Sequence, residues 1–160
     1  MNKIVRPAPV RKTVRVAAPP DRAFEVFTAG VGRWWPKSHH IGASDLDTVV
    51  IEPKAGGRWY ERGVDGAECE CGKVLVWEPP ARLVLAWQIA ADWKYDPNLL
   101  TEVEVRFIAD GANATRVELE HRHLERFGER ADAMRQSIDA PEGWTGILHL
   151  FKEAAEQSEE

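Results

Sequence analysis

The spacing of apolar residues along this chain starts mixed, becomes a strict alternation through the middle, and ends as a helical stripe. Residues 10–17 place Val10, Val14 and Val16 on one side and Arg11, Thr13 and Arg15 on the other, which predicts a strand. Pro19, Pro20 and Asp21 end it and open a predicted helix over residues 21–29, with Ala23, Phe24 and Phe27 as its buried stripe. Gly30 and Gly32 break that helix, a short turn over residues 31–35 ends at Pro36, and residues 37–44 form a polar loop carrying His39 and His40. From Asp47 the period is two. Strands are predicted over residues 48–52, 58–62, 68–77, 82–89, 101–108 and 115–123. Gly56-Gly57, Val64-Asp65-Gly66, Pro79-Pro80 and Asp110-Gly111 turn the chain between them, and Gly72 marks a bulge. Leu83, Leu85, Trp87 and Ile89 alternate in one strand, and Val103, Val105 and Phe107 oppose Glu102, Glu104 and Arg106 in the next. The last strand has Val117, Leu119, His121 and His123 inward, with Arg116, Glu118, Glu120 and Arg122 outward. Residues 124–139 carry only a thin stripe (Ala131, Met134, Ile138) and read as a partly helical lid or insertion.

Residues 140–157 (APEGWTGILHLFKEAAEQ) organise the rest. Trp144, Ile147, Leu148, Phe151 and Ala155 form one stripe of a helix, with Thr145, His149, Lys152, Glu153 and Glu156 on the other side. Pro141 suits a first helical turn, and Glu142 suits its positive end. Such a helix is marginal alone in water, while each large apolar side chain gains roughly 1.5–3 kcal/mol on burial. It therefore needs a surface to lie on. Strands with one apolar and one charged face supply it, as an antiparallel meander covered on one side. A bent sheet gripping a helix leaves a cavity between them, the natural place for a ligand.

Composition narrows the function classes. A hydrophobic content of 44%, a charged content of 29% and 160 residues suit a single globular domain spanning 1–160, without repeats, low-complexity tracts or linkers. The formal charge of −5 argues against nucleic acid or an anionic membrane surface as partner. No apolar run approaches a membrane span, and residues 1–12 lack the apolar core of a signal peptide, so the expected location is cytoplasmic. Seven tryptophans are many for one small domain. They suit a lined cavity, and equally a large core.

Candidate chemistry is sparse. His121 and His123 share the inward face of the last strand and have the right pKa range for acid–base work, but His121 also fits a hydrogen-bonded core residue. Glu61 shares a strand face with Trp59. On a concave face it becomes a buried carboxylate fit for general acid or base chemistry; on the other face it is simply solvated. Cys69 and Cys71 point the same way along a strand, too close for an unstrained disulfide, and read as structural thiols. His39 and His40 with Cys69, Cys71 or His121 offer metal-ligand types from separate segments, a minority alternative to having no metal. No nucleophile elbow, phosphate loop or zinc-protease helix occurs, and no cofactor is expected.

Several short stretches together resemble a known family. They are Val14-Arg15-Val16-Ala17-Ala18-Pro19 leading into Arg22-Ala23-Phe24, then Trp34-Trp35, and the turn Gly56-Gly57-Arg58-Trp59. Gly72-Lys73-Val74-Leu75, Pro79-Pro80-Ala81-Arg82-Leu83 and Trp87 follow. Thr115-Arg116-Val117-Glu118-Leu119 and Gly143-Trp144 complete the set. In this order they resemble the START-like (SRPBCC) superfamily, and within it the activator of heat-shock protein 90 ATPase homologue-like family. The resemblance implies an α+β helix-grip fold. In it a curved antiparallel β-sheet of six to seven strands wraps a long C-terminal α-helix, and two short helices follow the first strand. It also implies a cavity for a small hydrophobic or amphipathic molecule. The residues expected to line it are Phe27, Trp35, Trp59, Trp87, Phe107, His121, Trp144 and Leu148. A cyclase- or hydrolase-type enzyme using His121, Glu61 or both is the alternative, and a chaperone-associated interaction module a further one. The sequence leaves open whether any reaction is catalysed, and a homodimer is a possible assembly.

Overall fold

The first two strands lie at opposite edges of one sheet, and that placement shapes the molecule. The computed structural model describes residues 7–157; Met1–Arg6, half of the stretch read above for a signal-peptide core, lie outside them. The strands are β1 (Val10–Val16), β2 (Leu46–Ile51), β3 (Arg58–Gly63), β4 (Glu68–Glu78), β5 (Arg82–Trp87), β6 (Thr101–Ala109) and β7 (Thr115–Arg122). All pair antiparallel in the order β1-β7-β6-β5-β4-β3-β2. Helices α1 (Pro20–Thr28) and α2 (Val31–Trp34) carry the chain from one edge to the other. The final helix α4 (Gly146–Glu156) packs on α1, α2 and β1. This is a curled, seven-stranded antiparallel half-barrel closed on a C-terminal helix, the α+β helix-grip architecture that the resemblance implied.

The helical stripe packs as its spacing requires. Trp144, Ile147, Leu148, Phe151 and Ala155 are all buried, while Thr145, His149, Glu153 and Glu156 are exposed. Phe151 is wholly enclosed, its ring centroid 5.1 Å from that of Phe27 and 5.4 Å from that of Trp34. Phe24 and Phe107 extend this aromatic group, at 5.2 Å from each other. Such edge-to-face pairs add about 0.5–1.5 kcal/mol each beyond their buried area.

Four expectations are corrected. The predicted helix over 140–157 is not continuous: Gly143 takes non-helical angles (φ −84°, ψ −136°) inside an irregular turn, Pro141–Thr145, before α4 begins. A Cβ at Gly143 would sit 2.3 Å from the carbonyl oxygen of Ile138, so only glycine lets the two helical segments approach this closely. His123 does not continue the inward face. The strand ends at Arg122, and His123 turns left-handed (φ 65°) with Nε2 3.8 Å from Glu102, a residue of the outer face. Alternation in β5 is likewise incomplete, because the outward Val84 and Ala86 are also buried. Glu104 and Glu102 stand opposite them on β6, in an ion-pair network with Arg82 and Arg122. The aliphatic stems of such pairs shield apolar neighbours.

The bulge expected at Gly72 lies one residue before it: Gly72 faces Trp59 and Glu70 faces Tyr60, so Cys71 is the extra residue. Gly72 itself is needed for closeness, since a Cβ there would be 1.7 Å from the Ala86 carbonyl oxygen. The thin stripe of residues 124–139 forms a 3₁₀ segment, Leu124–Arg130, broken at Gly128, and a helix α3 (Ala131–Asp139) that buries Ala131, Met134 and Ile138. No helix among the described residues is long and apolar enough to cross a membrane.

Candidate functional site

Five of the seven tryptophans line one cavity of about 410 Å³, between the inner faces of β2 to β5, the loop at residues 38–41 and the segment at residues 137–147. Trp59 stands on β3, Trp87 on β5, Trp35 just after α2, Trp144 before α4, and Trp93 in the loop after β5. Four of these rings touch in series. Trp59 meets Trp87 at 5.6 Å, Trp87 meets Trp144 at 5.8 Å, and Trp144 meets Trp35 at 6.2 Å. Of the other two tryptophans, Trp34 packs with Phe27 and Phe151 in the solid core, and the half-buried Trp77 packs against it through Phe24.

The expected lining residues divide accordingly. Trp35, Trp59, Trp87 and Trp144 reach the cavity, and so does Glu61. Phe27, Phe107 and Leu148 are not among its lining and pack in the core. His121 lies behind the wall, fully buried, with its ring 5.0 Å from Trp87 and 6.1 Å from Trp144. Trp144 Nε1 donates to His121 Nδ1 (3.2 Å), and His121 Nε2 meets Thr101 Oγ1 (2.9 Å), whose hydroxyl donates to the Trp87 carbonyl (3.1 Å). The hydroxyl proton is thus committed to a carbonyl, and the chain of donors is consistent only with a neutral imidazole protonated on Nε2. Burial pushes the pKa of His121 down to about 3, in agreement. This histidine holds two indole walls in place.

Glu61 faces inward beside Trp59 and is 4% exposed. It anchors the loop at the cavity mouth: the backbone N–H groups of Ile41 and Gly42 both donate to its carboxylate. On the same loop Trp35 Nε1 donates to the His39 carbonyl (2.9 Å), and His39 Nε2 donates to the Glu142 carbonyl (2.7 Å), tying the loop to the segment before α4. His40 Nδ1 donates to the Gly42 carbonyl (2.9 Å). Glu61→Ala should cost roughly 1.5–3 kcal/mol, the range for hydrogen bonds to a charged group, and speed amide exchange at Ile41 and Gly42. Glu61→Gln keeps an acceptor oxygen and should lose less. Unchanged exchange in Glu61→Ala would show that the loop is held by other contacts.

Cys71 lines the cavity, and Cys69 stands near Glu61; both are free. Burial first, then the charge of Glu61, raises both thiol pKa values, which disfavours the thiolate that nucleophilic chemistry requires. Among the described residues no three His, Cys, Asp or Glu side chains group so as to hold a metal ion. Sequence reasoning did not assign Ile41, Cys71, Trp93 or Ile138 to the lining. The one available signal was Trp93, a large aromatic in a polar loop that no periodicity accounts for.

The sequence profile described as Activator of Hsp90 ATPase homolog 1-like protein matches residues 17–156, nearly the whole chain. The chain belongs to this family. No curated protein matches it. Solved structures similar to this family member include Txn09, described as an anthrahydroquino-Gama-pyrone synthase, at 38% identity and a TM-score of 0.66 over 93% of this chain and 97% of that one. Another is CalC from Micromonospora echinospora, described as a self-sacrificing resistance protein, at 33% identity and a TM-score of 0.67 over 92% and 94%. The Aha1 dimer from Colwellia psychrerythraea is similar in fold, with a TM-score of 0.62 at 17% identity over 92% and 96%.

Proposed function

We propose that this Activator of Hsp90 ATPase homolog 1-like chain binds a flat, fused-ring aromatic molecule in the tryptophan-lined cavity. The observation that carries this reading is the wall of touching rings, Trp59–Trp87–Trp144–Trp35, along one side of the cavity. A volume of about 410 Å³ lies in the usual range for small-molecule sites. Indoles fixed at different tilts offer faces and edges to an aromatic guest, and their orientation is set before the guest arrives by the hydrogen bonds through His121 and to the His39 carbonyl. Txn09, at 38% identity, is described as the synthase of a fused-ring anthrahydroquino-Gama-pyrone, which supports the same ligand class.

Family membership speaks for the fold; the chemistry of the cavity speaks for binding. His121 is out of reach of a guest, the Glu61 carboxylate already accepts two backbone N–H groups, and the thiols are held protonated. A second reading, ring closure of a bound precursor, draws on the synthase name of Txn09. In that case the cavity contributes mainly by holding reacting atoms together. Titration with alizarin, a three-ring aromatic dye, should quench tryptophan emission with a micromolar-range Kd, on the order of −8 kcal/mol. Trp87→Ala should weaken it. A folded chain that leaves alizarin unbound at high micromolar concentration refutes the binding reading.

A further inference from the structure

Trp93 differs from every other tryptophan in the chain. It is 45% exposed, whereas its companions in the cavity, Trp59, Trp87 and Trp144, are 2–5% exposed. The other six each contact another aromatic ring, while among the described residues Trp93 has no aromatic partner; like those of Trp59 and Trp77, its indole N–H donates no hydrogen bond there, whereas those of Trp34, Trp35, Trp87 and Trp144 do. It nevertheless lines the cavity, from the rim.

Its backbone is the second observation. Trp93 has φ 62°, a left-handed conformation that a bulky side chain rarely adopts and that glycine takes freely. The turn enforces it. Trp93 N–H donates to the Ala90 carbonyl (2.8 Å), Ala90 N–H donates to the Lys94 carbonyl (2.8 Å), and Asp92 caps the Lys94 N–H (3.2 Å). The pairing of Ile89 with Tyr95 closes the base. A tight turn of this shape is satisfied by glycine or asparagine. Here it holds out the largest side chain available, in a strained setting, over an aromatic cavity, with no aromatic ring of the described residues paired against its own.

We propose that Trp93 is the capping residue of the cavity, and that its missing ring partner is the bound aromatic molecule itself. This rests on the binding reading above and assigns within that site the residue that contributes affinity at its mouth. A guest seated against Trp87 and Trp144 exposes its outer edge or face at the rim, and Trp93 covers it there, removing water from both surfaces. The indole N–H is then free to donate to an oxygen of the guest. Fixing the backbone of Trp93 rigidly, rather than on a flexible loop, limits the freedom lost when it closes.

Calorimetric titration of alizarin into the wild type, W93G, W93N and W93F provides the test. The proposal expects W93G and W93N to bind about tenfold more weakly, the size of one aromatic contact, and W93F to stay within about threefold of wild type. It also expects melting midpoints of W93G and W93N equal to or above that of the wild type, because both residues relieve the left-handed strain. Binding of alizarin by W93G and W93N at wild-type affinity overturns the proposal while leaving the cavity reading intact. A midpoint lowered by several degrees in both variants also overturns it, by showing that Trp93 packs for stability. A wild type that binds no alizarin removes the cavity reading and this proposal together.

Discussion

Phe151→Ala should destabilise the folded chain by about 3–5 kcal/mol, the largest single-residue effect expected here. Phe151 has no exposed surface, and its ring is flanked by Phe27 and Trp34, themselves fixed against Phe107 and Trp35. Neighbours that are large, planar and already in contact with others cannot collapse into the vacated volume. The loss is therefore the transfer term plus most of the cavity term. His149→Ala, on the opposite side of α4 and paired only with exposed Glu153, should change stability by less than about 0.5 kcal/mol. Denaturant midpoints of the two variants decide the matter; similar losses would mean that α4 does not present the stripe seen here.

The second large effect is acid sensitivity set by His121. Its pKa falls from an ordinary 6.5 to about 3 on folding because the imidazole is fully buried. Between those values the unfolded chain binds a proton that the folded chain refuses, so stability is fully present above pH 6.5 and is lost as the pH falls. From pH 7 to pH 5 the expected loss is about 2 kcal/mol, approaching about 1.4 kcal/mol per pH unit. The hydrogen-bonded carboxylates Asp65, Asp139 and Glu156 also have lowered pKa values, but from ordinary values of 3.8, 3.8 and 4.5, so their contribution is lost mainly below pH 5. His121→Leu should remove the slope between pH 7 and pH 5. It should also cost roughly 1–3 kcal/mol at neutral pH, because the Trp144 N–H loses its acceptor. A wild-type urea midpoint that is flat from pH 7 to pH 5 would contradict the buried neutral histidine.

The two effects arise from different parts of the aromatic interior. Phe151 belongs to the filled group around Phe27 and Trp34, whereas His121 backs the indoles that bound the empty space. Trp34 and Trp35, adjacent in sequence and 6.0 Å apart, join the two groups. On the binding proposal, a guest in the cavity abuts a wall continuous with the core, and its binding should raise the melting midpoint by mass action.

Hydrophobic periodicity by itself determined the fold of this protein to a large extent. A period of two from Asp47 onward, a helical stripe from Trp144 to Ala155 and turn residues between them demand a one-sided antiparallel sheet covered by a helix. Trp59 and Glu61 on one strand face, and Leu119 and His121 on another, were readable for the same reason, since side chains alternate along a strand. Which inward residues meet solvent space and which meet each other is a property of curvature and of non-local packing. Phe107 and Trp87 are both inward on neighbouring strands, yet one enters the solid core beside Phe24 and the other bounds the cavity. Alternation assigns a side and says nothing about position along the curled sheet. Loop residues escaped for another reason. The left-handed angle at Trp93, the break at Gly143 and the exit of His123 from the strand are set by local hydrogen bonding and close backbone approach, which leave no periodic trace. The role of His121 was decided by tertiary structure alone, because only there do Trp144 and Thr101, 23 and 20 residues away along the chain, come within hydrogen-bonding reach of the two ring nitrogens.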